Sequence, residues 1–116
     1  MKGLILLAED ESGIAVKLTR FLEKKGYLVQ AYNDGRKLVD DIKDGLKYQL
    51  AVVDLSFPYV DGHEIIRLSK KVNPSVPVIS ASGYDFKPQE SDTHLTKPYG
   101  FDELEEILGK LLETDA

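Results

Sequence analysis

The sequence predicts an α/β fold, a doubly wound five-stranded parallel sheet with helices on both faces. Short, continuously apolar segments alternate along the 116 residues with longer segments in which apolar residues recur at helical spacing. Continuously apolar strands are typical of parallel sheets, because crossover helices bury both faces of each strand. The length is that of one ordinary domain, so we expect residues 1–116 to form a single domain.

The first half of the chain predicts three strands separated by two helices. The strands are expected at residues 4–8, 27–31 and 50–54, where hydrophobic residues follow one another. Apolar residues at helical spacing predict a first helix, with Ser12 as its cap and an end near Gly26. The same spacing predicts a second helix over residues 34–45.

The second half predicts a helix over 61–72, strands over 76–81 and 93–96, and a final helix over 101–112. The connection between the last two strands is unusually short. It includes Gly83 and Pro88 and lacks apolar residues at helical spacing. A crossover with its helix needs roughly ten to twelve residues. We therefore expect the helix between the last two strands, which would be the fourth of five, to be very short or absent.

Composition and charge argue against several classes of protein. The net charge is −5, and Lys and Arg never form more than a pair, so we expect no binding to nucleic acid. The longest apolar run, residues 4–8, is too short for a membrane span or a signal peptide. We therefore expect no membrane partner and a cytoplasmic location. The absence of cysteine excludes disulfides, thiolate zinc sites and a cysteine nucleophile.

Polar side chains follow four of the predicted strands. Glu9 and Asp10 follow the first strand, Asp54 ends the third, Ser82 follows the fourth, and Lys97 follows the fifth. The carboxyl ends of parallel strands meet at one edge of the sheet, so three carboxylates, a hydroxyl and an ammonium should converge there. Crowded carboxylates favour a bound cation, and hard oxygen ligands suit Mg²⁺. The ammonium and the hydroxyl could hold phosphoryl oxygens. Each residue alone is more often a turn or cap residue, but four strand ends that carry complementary groups together favour a functional site.

Four motifs in order resemble one known family over essentially the whole chain. They are LLAEDE at residues 6–11, VVDLSFPYVDG at 52–62, PVISASG at 77–83 and TKPY at 96–99. The sequence resembles the receiver domain of two-component response regulators, and is similar to the chemotaxis-type regulators. The resemblance implies a flavodoxin-like sheet with strand order 2-1-3-4-5. It also implies a phosphorelay function, in which a sensor histidine kinase or phosphotransfer protein donates a phosphoryl group from a phosphohistidine.

The resemblance implies a role for each residue at the strand ends. Asp54 would accept the phosphoryl group, and Lys97 and Ser82 would contact it. Magnesium would be held by Glu9, Asp10, Asp54 and the backbone carbonyl of Ser56. Such a domain is not a turnover enzyme, because it catalyses only its own phosphorylation and dephosphorylation.

His94 departs from the family pattern. It stands three residues before Lys97, where receivers often have an aromatic switch residue. Two interpretations remain open. The ring could fill space that Ser82 vacates when it moves toward a phosphoryl group, or it could be a static surface residue.

Three other functions are weighed against a phosphoacceptor receiver. A pseudo-receiver that acts only as a protein-interaction module would lack one of the acids or Lys97, and none is missing. A haloacid-dehalogenase-like phosphatase would need a second acid two residues after Asp54, where this chain has Ser56. A flavodoxin-like cofactor binder would need a phosphate-binding loop after the first strand, where residues 9–11 are acidic. The downstream partner is not predicted by any of these patterns.

Overall fold

The computed structural model describes residues 2–57 and 59–112, which form five strands and four helices. The strands are β1 (Leu4–Ala8), β2 (Leu28–Tyr32), β3 (Leu50–Asp54), β4 (Val78–Ser82) and β5 (Thr93–Thr96). The helices are α1 (Ser12–Lys24), α2 (Gly35–Lys43), α3 (Gly62–Val72) and α4 (Phe101–Leu112). No helix in these described ranges is long and apolar enough to cross a membrane.

The strands form one parallel sheet in the order β2-β1-β3-β4-β5, which confirms the predicted flavodoxin-like topology. Successive residues of the central strands point to opposite faces. Leu6 and Val53 belong to the core that α2 and α3 cover, whereas Leu7 and Val52 belong to the core that α1 and α4 cover. Both faces are therefore buried, which explains why these strands are continuously apolar.

The connection between β4 and β5 contains no helix, and all of its residues, 83–92, lie in the described part of the chain. The prediction of a very short or absent helix is confirmed. A helix would satisfy its own backbone N–H and C=O groups, but this connection has none. Side chains therefore make the bonds that fix its position. The Asp92 carboxylate accepts from the Val78 amide at 2.7 Å and pairs with Lys70 at 2.7 Å, and the Lys87 ammonium donates to the Ser91 carbonyl at 2.6 Å.

The residue that precedes α1 differs from the prediction. Asp34 caps α2, because its carboxylate accepts from the Arg36 amide at 2.8 Å. The prediction that Ser12 caps α1 is wrong, because Ser12 is already helical and the residue before the helix is Glu11, whose side chain makes no capping bond. The Glu11 amide is instead bonded at 3.2 Å to the carboxylate of Glu9, so the start of α1 is tied to the end of β1.

Candidate functional site

The carboxyl ends of β1, β3 and β5 bring the predicted acidic and basic groups together. Asp54 is the last residue of β3, Glu9 and Asp10 follow β1, and Lys97 follows β5. Carboxylate oxygens of the three acids all lie within 4.8 Å of one another. The cluster stands beside the point where the strand order reverses, which is the usual position of a site in a doubly wound sheet.

Asp54 is buried, and both of its carboxylate oxygens are hydrogen-bonded. Lys97 Nζ donates to Oδ2 at 2.8 Å, while the amide and the hydroxyl of Ser56 donate to Oδ1 at 3.0 Å and 2.9 Å. Burial raises the pKa of Asp54, but the bonds from Lys97 and Ser56 outweigh it and hold that pKa below its ordinary value. Asp54 is therefore an oriented and ionised carboxylate, as a nucleophile requires.

A glycine fixes the backbone around Asp54. At Gly62, the first residue of α3, an added Cβ would lie 2.6 Å from the Asp54 carbonyl oxygen and 2.6 Å from the Leu55 Cα. Neither backbone atom can move without shifting the end of β3. Only glycine allows α3 to begin this close to the strand, and the contact helps to set the position of Asp54.

Glu9 is the acid of the cluster whose negative charge is least well stabilised. Its side chain is buried, Oε2 accepts from the Glu11 amide, and Oε1 accepts from Lys97 Nζ at 3.3 Å. Burial raises the pKa of Glu9 above its ordinary value, and the negative charge of Asp54 adds to the effect, although the bonds from Glu11 and Lys97 oppose it. The bonds from Glu11 and Lys97 therefore do not fully offset the cost of burying the negative charge of Glu9.

Lys97 is the cation that joins the two buried acids. Burial lowers the pKa of its ammonium, but the bond to Asp54 and the charge of Glu9 outweigh this and raise the pKa. Tyr99, which the sequence analysis did not single out, lies close to the same charges. Burial raises the pKa of its phenol to about 12, and the charge of Glu9 adds to the shift, so the hydroxyl stays protonated.

The structure places Ser82 with His94 rather than with the carboxylates. The Ser82 hydroxyl donates to the Tyr84 carbonyl at 2.9 Å and lies 3.1 Å from His94 Nε2. No hydrogen bond joins Ser82 to Asp54 in the described ranges. The other nitrogen of the ring, Nδ1, lies 2.7 Å from the hydroxyl of Ser80, a residue that sequence reasoning missed. The only sequence signal for Ser80 was a polar residue within an apolar strand.

The family model for the response regulator receiver domain matches residues 5–109. This chain belongs to the response regulator receiver domain family. Over 97% of its length it is 30% identical to sporulation initiation phosphotransferase F from Bacillus subtilis, of which it covers 95%. It is 32% identical to the transcriptional regulatory protein YkoG from the same organism, with 95% of this chain and 50% of YkoG covered. The chain thus spans about half the length of the transcriptional regulators it matches.

The receiver fold is also found in a solved relative with a bound ligand. The response regulator TrrA from Thermotoga maritima, in complex with Mg²⁺-BeF, superimposes with a TM-score of 0.82 at 26% identity. The match covers 93% of this chain and 97% of that one. The fold and the family agree with a phosphoacceptor receiver of two-component signalling.

The acidic cluster of this receiver domain resembles a metal site. Glu9, Asp10 and Asp54 bring three carboxylates together against the single ammonium of Lys97 that pairs with them. The imbalance is two negative charges, which a divalent cation matches. Asp10 is exposed, so one side of the cluster is open to water and to further oxygen ligands.

Proposed function

We propose that this receiver domain accepts a phosphoryl group on Asp54 from the phosphohistidine of a sensor histidine kinase or phosphotransfer protein, in a reaction that needs Mg²⁺. The observation that supports this most directly is the paired arrangement of Asp54 with Lys97 and the two other acids. The bound Mg²⁺-BeF of the relative TrrA is consistent with the same chemistry.

In this proposal each group has its own part in the transfer. A carboxylate oxygen of Asp54 attacks phosphorus, the phosphorus–nitrogen bond of the donor breaks, and the donor imidazole leaves with the electron pair. Ser56 keeps the carboxylate oriented through two bonds, and Lys97 neutralises charge that spreads over the phosphoryl oxygens. Glu9, Asp10, Asp54 and the backbone carbonyl of Ser56 would hold Mg²⁺, which supplies further charge neutralisation when bound.

We infer that the domain reacts once with each donor and does not turn over substrates. The hydroxyl of Ser56 occupies the position two residues after Asp54 and donates to it. A phosphatase of the haloacid-dehalogenase type would use an acid there to protonate a leaving group and activate water. A serine hydroxyl is a poor acid and base at neutral pH, so the acyl phosphate should persist until water attacks it slowly.

The donor would dock on the groove between α1 and the segment that follows β5. This groove has a volume of about 510 Å³ and is lined by Ile14 and Leu18 of α1 and by Pro98, Tyr99 and Phe101. Lys97 lines it too, so the groove opens beside the phosphoacceptor. An apolar helix that bears a phosphohistidine fits such a surface. Because a kinase of this type is charged from ATP, we infer that the encounter takes place in the cytoplasm.

Mass spectrometry after incubation with acetyl phosphate tests the proposal. With Mg²⁺, the wild-type chain should gain the mass of one phosphoryl group, and chelation of the metal should prevent the gain. Asp54→Asn should gain nothing, whereas Asp102→Asn, which changes an exposed acid at the start of α4, should behave as wild type. A phosphoryl group that still appears on Asp54→Asn would show that the acceptor is another residue.

A further inference from the structure

Tyr99 brings an uncharged polar group to the groove beside the phosphoacceptor. Its ring is partly buried against the core that α1 and α4 cover. It lines the groove together with Lys97, whose ammonium lies 2.8 Å from the Asp54 carboxylate. The other described residues that line this groove are apolar or charged, so the Tyr99 phenol is the neutral side chain that can exchange a hydrogen bond with a molecule docked there.

The Tyr99 hydroxyl has no hydrogen-bond partner in the part of the chain that the structure describes. Every fully buried polar side-chain atom in residues 2–57 and 59–112 does have one. The hydroxyl is therefore not sealed in the core but reaches solvent, and the groove that Tyr99 lines is the opening next to it. Tyrosine is frequent at interfaces because its ring packs against apolar groups while its hydroxyl bonds to the other partner. A molecule in the groove can supply the bond that the protein does not.

The phenol of Tyr99 acts as a hydrogen-bond donor at neutral pH. Burial raises the pKa of Tyr99 to about 12, and the charge of Glu9 adds to the shift, so the oxygen keeps its hydrogen. The charges of Asp54 and Lys97 also act on this pKa, which places the phenol near the acceptor carboxylate. The donor hydrogen is thus available at the end of the groove where the phosphoryl group would be transferred.

A phosphohistidine has one ring nitrogen that carries phosphorus and a distal nitrogen that does not. The groove opens beside the phosphoacceptor, so a ring that enters it can direct its phosphorus toward Asp54. As the phosphorus–nitrogen bond breaks, its electron pair stays on the ring, and the distal nitrogen becomes a stronger hydrogen-bond acceptor. A hydrogen bond to this nitrogen is therefore stronger in the transition state than in the bound donor, and such a bond accelerates transfer.

We propose that Tyr99 is a catalytic residue whose hydroxyl donates a hydrogen bond to the distal nitrogen of the donor imidazole and eases the departure of that ring. This inference rests on the proposed transfer to Asp54 and adds a residue that acts on the donor rather than on the phosphoryl group. The Asp54 oxygen forms the bond to phosphorus, the phosphorus–nitrogen bond breaks, and the ring leaves with the electron pair. Water supplies the proton that makes the ring neutral imidazole, and the Tyr99 hydroxyl keeps its own hydrogen.

Three small phosphodonors separate this role from a structural one. Phosphoimidazole carries the ring, whereas phosphoramidate and acetyl phosphate have no distal nitrogen. The rates of phosphoryl uptake are measured by mass spectrometry with Mg²⁺ at about pH 8, above the ordinary imidazole pKa of about 6.5, so that the distal nitrogen can accept. One neutral hydrogen bond changes a rate by about fivefold, so Tyr99→Phe should react about fivefold more slowly than wild type with phosphoimidazole.

The remaining measurements should leave Tyr99→Phe equal to wild type. Its rates with phosphoramidate and acetyl phosphate should be unchanged, and so should its affinity for beryllofluoride with Mg²⁺, because none of these involves the ring of the donor. Tyr27→Phe is the matched control, since it removes a phenol hydroxyl from the opposite end of the sheet, where Tyr27 precedes β2 and lines a separate cavity. It should behave as wild type with all three donors.

The outcomes separate the role of Tyr99 from the proposed function. If the wild-type chain takes a phosphoryl group from none of the three donors, the proposed function itself is wrong. If the wild type reacts but Tyr99→Phe keeps its rate with phosphoimidazole, the role of Tyr99 is wrong and the proposed function stands. Equal slowing with all three donors, or weaker binding of beryllofluoride, would also overturn this role, because the hydroxyl would then act on the phosphoryl group or on the fold.

Discussion

Amide replacements of Asp54 and Glu9 should change the stability of the metal-free protein in opposite directions. The Asp54 carboxylate accepts three bonds, one of them from the Lys97 ammonium at 2.8 Å. In Asp54→Asn the charge is lost, and the amide has one oxygen for donors that now use two. A hydrogen bond between charged groups contributes about 2 kcal/mol, so Asp54→Asn should lower the free energy of unfolding at pH 7 by about that amount.

Glu9→Gln should instead raise the free energy of unfolding. Burial and the neighbouring charge of Asp54 raise the pKa of Glu9, so its ionised form is less favourable in the folded protein than in the unfolded chain. A glutamine keeps the shape and removes the charge, but its single acceptor oxygen can serve either Lys97 or the Glu11 amide, so the lost bond offsets part of the gain. We therefore expect a net gain at pH 7 that is smaller in size than the loss in Asp54→Asn.

The two effects should also depend on pH in different ways. The gain from Glu9→Gln is complete above the raised pKa of the folded protein and disappears as the pH falls toward the ordinary glutamate value of about 4.3, because the wild-type side chain is then protonated. Asp54 has a lowered pKa, so its contribution remains above the ordinary aspartate value of about 3.9. It is lost as the pH falls further, through the pKa of the folded state.

Urea unfolding followed by circular dichroism, without metal and at several pH values, measures both effects. Asp102→Asn removes an exposed acid of α4 and controls for the change in net charge. Addition of Mg²⁺ should stabilise the wild type more than Glu9→Gln, because binding to the folded state alone adds to its stability. If both amide variants were destabilised equally at pH 7, the electrostatic description of the cluster would be refuted.

Three further experiments address the metal, the lifetime of the phosphoryl group and the oligomeric state. Asp10→Ala should abolish both Mg²⁺ binding by calorimetry and phosphorylation by acetyl phosphate; phosphorylation at the wild-type rate would remove the metal assignment. Tyr84→Ala should lose its phosphoryl group several-fold faster, since Tyr84 lines one cavity with Ser56 and Ser82 and borders the path of water; equal decay rates would show that the exposed ring does not shield the site. Beryllofluoride and Mg²⁺ should leave the domain monomeric in light scattering.

The positions of the strand ends could be predicted from the sequence, whereas the hydrogen bonds between side chains could not. The expectation that Glu9, Asp54 and Lys97 meet depended only on strand ends, and a parallel sheet places all of these ends at one edge. The bond from Ser80 to His94 depends on two rotamers and on the path of residues 83–92, none of which follows from hydrophobic pattern. The error at Ser12 has the same origin, because the Glu11 amide donates a hydrogen bond to the Glu9 carboxylate and so ties the start of α1 to the end of β1.

The prediction of a monomer follows from the charge on α4 and from the missing helix. An interface on this side would combine residues 82–99 with α4, and a stable one must bury roughly 1,000 Å² or more. The exposed side chains of α4 include the acids Asp102, Glu103, Glu105 and Glu106, so a symmetric pair would set like charges against one another. The connection 83–92 contains no helix, so it offers Tyr84 and Phe86 as exposed aromatic rings without a helical face to align them. We therefore expect no dimer on this side with beryllofluoride, and the variant Glu103→Lys/Glu106→Lys, which removes the repulsion, provides the comparison. A wild-type dimer that forms only with beryllofluoride and is cross-linked through α4 and residues 82–99 would contradict this prediction. It would show that this surface supports dimerisation although the connection 83–92 contains no helix.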